Sequence, residues 1–192
     1  MAVMSALEGP VAVVAVVLAV GGGFKLRDPA PTAEMLRSVG VPLPAAGVRA
    51  IGVVEVTLGV GATLVGGTLL TGAVAVLYAV FASVTARLVQ LGDRAASCGC
   101  FGRLSSAAGP THVAANVVAA AVAGAGALTA TPGFVALRAE LVAAGVPQAA
   151  LIALGAWLFM VVLTVLPDTL AAARRRPRSA STRSFEVSGS LG

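Results

Sequence analysis

Charge and aromatic rings are both scarce in this chain. Of its 192 residues, 11% are charged and 4% aromatic, against about a quarter charged in an ordinary soluble domain. That shortage excludes a water-soluble globule. Histidine is nearly absent: His112 stands alone, which excludes a haem held by a histidine pair. Cysteine is limited to Cys98 and Cys100, so no framework of long disulfide loops holds the fold. There is no glycine-rich phosphate loop and no internal repeat. Hydrophobic residues reach 58% and mean hydropathy is +0.97, carried by Ala, Val, Leu and Gly. Small residues of that kind let helices approach closely in lipid. The net charge of +5 would suggest a nucleic-acid partner in a soluble protein. Here the basic residues sit beside apolar runs and set orientation, so the expected partner is the lipid bilayer and no nucleic acid is expected.

Five apolar runs are long enough, or nearly so, for the about 20 residues a span requires. The first is Val11 to Phe24, extended through Lys25 and Leu26, with Pro10 at the first helical position. It lacks a basic start, so it reads as a retained span rather than a cleaved signal peptide. A short amphipathic segment, Thr32 to Val39, follows, and Val41-Pro42-Leu43-Pro44 forbids continuous helix. The second span runs from about Gly47 to Leu64 and the third from about Leu69 to Leu88, joined at Gly66-Gly67. A polar loop occupies residues 92–110, and a fourth span runs from about Thr111 to Leu128. Phe134 to Ala144, with Arg138 and Glu140, reads as interfacial, and a fifth span covers about Pro147 to Leu166. The expected fold is an all-α integral membrane bundle. Residues 1–128 form a four-helix unit, residues 129–168 an interfacial segment and a fifth, C-terminal transmembrane helix, and residues 169–192 a basic, Ser-rich tail expected to be disordered. With five spans, every basic residue except Arg138 falls on one side. The positive-inside rule then predicts a multi-pass protein of the cell (plasma) membrane with its C-terminal tail, and the loop of residues 92–110, in the cytoplasm.

That loop carries Ser97-Cys98-Gly99-Cys100-Phe101-Gly102-Arg103. A Cys-Gly-Cys pair closes only a small, strained disulfide, and glycine between the thiols helps the backbone bend. Strained, exposed bridges are the labile, exchanging kind, whereas a structural bridge closes a longer loop. Arg94 and Arg103 flank the thiols, where positive charge favours thiolate, although both also serve as topology anchors. Cys98, Cys100 and His112 would offer a soft metal only three ligands at unusual spacing, so no metal is expected. Glu55 lies six residues after Arg49, about 9 Å deeper along a helix. A carboxylate at that depth is a functional-site candidate, weighed evenly against a structural hydrogen bond. Lys25 ends the first span on the side of Glu55 and within its reach; the blander reading is a side chain snorkelling to the headgroups. His112 and Asn116 share one side of the fourth span. His112 is a candidate proton donor to a thiolate, set against simple solvation at the interface, and Asn116 reads as a tie between helices.

The chain resembles the MauE/DoxX-type redox-associated membrane proteins. The resemblance rests on Gly23-Phe24-Lys25-Leu26-Arg27-Asp28-Pro29 after the first span and on Glu55 followed by Leu58-Gly59. It rests further on Cys98-Gly99-Cys100-Phe101-Gly102 after the third span, and on Asn116 in the fourth. It covers roughly residues 10–128. Two features depart from the family pattern: the fifth span with its basic tail, and Ala115, where the family often carries Arg. The resemblance implies a membrane protein tied to thiol–disulfide chemistry. In methylamine metabolism the MauE protein is associated with processing, transport or maturation of the disulfide-rich beta subunit of methylamine dehydrogenase, beside a thioredoxin-like partner. On this reading Cys98 and Cys100 exchange electrons, while Glu55, with Lys25 or His112, handles protons or orients the loop. Two further readings stay open: a DoxX-like, quinone-linked membrane subunit, and a non-catalytic membrane scaffold or transporter, to which broken helices at Gly21-Gly22-Gly23 and Gly66-Gly67 would be suited.

Overall fold

The structure is a computed structural model of the chain; residues 2–92, 109–134 and 147–165 are described. Regular structure among them is helical: α1 (Ala2–Arg27), α2 (Ala30–Ser38), α3 (Ala45–Leu64), α4 (Thr68–Leu91) and α5 (Pro110–Leu128), then α6 (Pro147–Val165). All but α2 are long and apolar enough to cross a membrane. The protein is thus an all-α membrane bundle of four spans plus a fifth. Its polar segment 93–108, with Arg94, Cys98, Cys100 and Arg103, lies outside the described residues, as do Arg138, Glu140 and the basic tail.

Two helix boundaries depart from the sequence reading for physical reasons. Pro10 does not open α1; the helix starts at Ala2 and runs through it. The ring removes one amide donor from inside the helix, a loss that membrane helices tolerate. Nor does Gly21-Gly22-Gly23 break α1; the helix runs through it, and Gly22 is spent on packing. A Cβ placed on Gly22 would lie 2.6 Å from the Gly52 carbonyl oxygen and 2.8 Å from the Glu55 Cβ. One on Gly52 would lie 2.8 Å from the Gly22 carbonyl oxygen, and Gly59 meets Ala15 and Ala19 in the same way. The two helices run antiparallel, backbone against backbone, at the spacing small residues permit in lipid.

The second intimate pairing is α4 with α5. Between the two pairs lies a core of Val14, Ala15 and Leu18 from α1, Ala62 from α3, Val74 and Tyr78 from α4, and Ala119 and Ala123 from α5. Val17 turns the other way and meets Ala156 and Leu163 of α6. Large apolar side chains face outward, including Leu69, Val76, Leu128 and Trp157, as a lipid solvent allows. The amphipathic α2 buries Thr32 and Met35.

The ends of the bundle differ. At one end α3 turns into α4 through Gly66 (φ +69°) and Gly67 (φ +86°), the left-handed region that favours glycine. There the Gly67 amide donates to the Thr131 carbonyl at 2.8 Å, and the Gly133 amide donates to the Val65 carbonyl at 3.0 Å. At the other end α1 finishes, α3 begins, and the chain leaves α4 at Gly92 and enters α5 at Gly109.

Gly52→Val should overpack the α1–α3 contact, a change that typically costs about 1–3 kcal/mol, and should lower the unfolding temperature of the purified protein in dodecyl maltoside. Gly124→Ala, whose Cβ enters open space, should be neutral or gain up to about 1 kcal/mol of helix propensity.

Candidate functional site

One side of α3 is a stripe of small residues interrupted by a single charge. Val48, Gly52, Glu55, Gly59 and Ala62 are its buried positions, a spacing of four and three that keeps one face toward α1. The absence of side chains at Gly22 and Gly52 brings the Glu55 backbone close to α1, so its carboxylate meets Lys25 from the neighbouring helix. The ammonium Nζ donates to Glu55 Oε2 at 2.8 Å, and the two side chains are 5% and 0% exposed. Glu55 is ten residues into α3, about 15 Å along the axis, roughly half the thickness of a hydrocarbon core. A lone charge at that depth is expensive; this pair is neutral in sum. Lys25 Nζ also sits 5.2 Å from the centre of the Phe81 ring, near enough for a cation–π attraction. Phe81 is in turn held edge-on by Tyr78, at 6.1 Å between centroids. The Tyr78 hydroxyl donates to the Val14 carbonyl at 2.7 Å, which pins α4 to α1 across the core.

α5 repeats the pattern. Its buried positions are His112, Asn116, Ala119, Ala123 and Gly126, so the two nitrogen-bearing side chains continue a stripe of small ones. His112 is only 3% exposed, and its imidazole hydrogen-bonds the Leu163 backbone in α6. The Leu163 amide belongs to the helical ladder, so the carbonyl is the group available to it. Lys25, Glu55, Tyr78, Phe81, His112 and Asn116 surround a cavity of about 30 Å³, with Phe159 and Leu163 closing it from α6.

The sequence-derived candidates Lys25, Glu55, His112 and Asn116 thus line one cavity. Two of the blander readings are corrected. Lys25 does not snorkel to the headgroups, because Glu55 and the Phe81 ring hold its head inside. His112 is not solvated at the interface, because α6 covers it. Cys98, Cys100 and Arg103 lie outside the described residues, so their distance from this cavity is not part of the geometry. Among the described residues no three His, Cys, Asp or Glu side chains gather to hold a metal. Sequence reasoning passed over Tyr78, Phe81, Phe159 and Leu163. One signal was available: Tyr78 is the sole tyrosine, and it stands mid-span instead of at the interface where membrane tyrosines concentrate.

Lys25→Met should leave an uncompensated buried carboxylate and cost stability by about 3–5 kcal/mol, read as loss of the folded fraction in detergent titration. Adding Glu55→Gln to it should recover most of that loss. A purely additive double variant would show that the pair is not energetically coupled.

Comparison with known families places this arrangement. The family model described as Methylamine utilisation protein MauE matches residues 4–129, which spans α1 to the end of α5. No curated protein and no solved structure matches. α6 lies beyond the matched range. The matched range therefore contains four of the five spans and the buried pair, and the chain belongs to the MauE family, as a membrane protein associated with methylamine utilisation.

Proposed function

We propose that this membrane protein is a thiol–disulfide component that assists maturation of a partner protein. In methylamine metabolism that client would be the disulfide-rich beta subunit of methylamine dehydrogenase. The observation that supports the reading is the placement of the only two cysteines. Cys98 and Cys100 belong to the segment joining α4 to α5, whose two ends lie at the same end of the bundle as Lys25 and His112. Cys98 is six residues beyond Gly92, so the chain holds it within about 20 Å of that residue.

The exchange conserves electrons. A thiolate of the pair attacks one sulfur of a client disulfide, forming a mixed disulfide and releasing a client thiolate. The second cysteine then attacks the mixed bond, which yields the Cys98–Cys100 disulfide and a client reduced by two electrons. A thioredoxin-like dithiol returns the pair to its reduced form by the same two steps and is itself oxidised. On the charge distribution the segment faces the cytoplasm. Thiols are kept reduced there, so the resting pair is a dithiol and its action on the client is reductive.

A Cys98→Ala/Cys100→Ala variant should insert normally and fail to support correct disulfide pairing in the client, scored by mass spectrometry of the client's non-reduced peptides. Normal client disulfides in that variant would overturn the reading. Membrane-impermeant maleimide should label Cys98 in inverted vesicles and not in intact cells; the reverse pattern would place the segment outside.

A further inference from the structure

The Glu55 carboxylate has two oxygens, and the ion pair uses one. Oε2 takes the Lys25 ammonium. Oε1 is fully buried and meets no hydrogen-bond donor among the described residues. A buried acceptor left without a donor costs about 1–3 kcal/mol, and more when charged. Ordered water relieves that cost where a site is both polar and roomy. The cavity bordering Glu55 has the room, and its mostly apolar wall is interrupted by a few polar side chains beside the carboxylate. Its volume is about 30 Å³, and a single water needs about 10–15 Å³ on this measure. Lys25, Asn116 and His112 add polar groups to the wall, so a bound water finds the two to four partners it requires.

We propose that this cavity is a water-binding site anchored on Glu55 Oε1, whose waters carry protons between the Glu55–Lys25 pair and the end of the bundle where α5 begins. His112 and Asn116 occupy the first two turns of α5, which sets the direction of that path from mid-bilayer outward. Among the described residues, the ionisable groups facing Glu55 are few. α1 contributes Lys25 and α5 contributes His112. α4 contributes Tyr78, with its hydroxyl committed to Val14, and α6 brings only the side chains of Phe159 and Leu163. None of these groups is a cysteine, so the site stands or falls independently of the thiol–disulfide reading.

The test uses the full chain in nanodiscs of phosphatidylcholine and phosphatidylglycerol, transferred briefly into ¹⁸O-water and exposed to a short X-ray pulse. Radicals born from bound water mark the rings beside it. Phe81 and Tyr78 should incorporate ¹⁸O well above Trp157, which faces lipid. In Lys25→Met/Glu55→Leu, which removes the anchor together with its counter-charge, that excess should be lost while helical circular dichroism is kept. Lys25→Met/Glu55→Gln retains an acceptor oxygen without leaving a bare charge and should retain the label, which covers the case in which the Leu double variant unfolds. Cys98→Ala/Cys100→Ala should label as wild type does. Wild-type Phe81 at the level of Trp157, or full labelling in the Leu double variant, would overturn the water site. For the proton path, dicyclohexylcarbodiimide reacts with protonated carboxyls in apolar surroundings, and its yield at Glu55 should rise as the bulk pH falls. A yield indifferent to bulk pH would overturn that part.

Discussion

The whole bundle is arranged around a charge that lipid would reject. Glu55 stands at mid-membrane depth, and its tolerance depends on the Lys25 ammonium 2.8 Å away. That distance is set by backbone approach before it is set by charge. Gly22 and Gly52 touch where any side chain would hold the helices apart, and only then does a lysine near the end of α1 reach a carboxylate on α3. Phe81 completes the enclosure from α4, and Tyr78 locks Phe81 by an edge contact and α1 by a hydrogen bond. In water such a pair would contribute little. Inside a bilayer, a missing partner leaves a bare charge, so the pair acts above all as a requirement on geometry.

The match to the MauE family ends with α5, yet the site is finished by α6. Phe159 and Leu163 line the cavity, and His112 hydrogen-bonds the Leu163 backbone. The span outside the matched range is thus joined to the four within it through the His112 side chain and the Leu163 backbone. Its own surface is otherwise mostly turned to lipid.

Much of this architecture is legible in the sequence, and the limits have physical causes. The spans declare themselves because apolar runs are punctuated by Pro42, Pro44, Gly66, Gly67 and Pro110, and the observed boundaries fall within a few residues of those marks. Glu55 declares itself by depth alone. Lys25 and His112 do not, since a basic residue near a helix end looks the same whether it snorkels or turns inward; the choice is made by Gly22 and Gly52 for the first and by α6 for the second. Phe81 and Phe159 are silent because an aromatic in an apolar run carries no mark of which neighbour it faces. Pro10 misleads in the opposite sense: its ring resembles a helix start, and lipid lets the helix run on.

The bundle is fastened unevenly. At the end remote from His112, the α3–α4 turn and the segment after α5 are sewn together by the amides of Gly67 and Gly133, with Gly66 and Gly133 at the points where a side chain would collide. Parting the α1–α3 pair from the α4–α5 pair at that tip would break two backbone hydrogen bonds at once, whereas deeper in the bundle the tie across the pairs is a single side-chain hydroxyl, Tyr78 on the Val14 carbonyl.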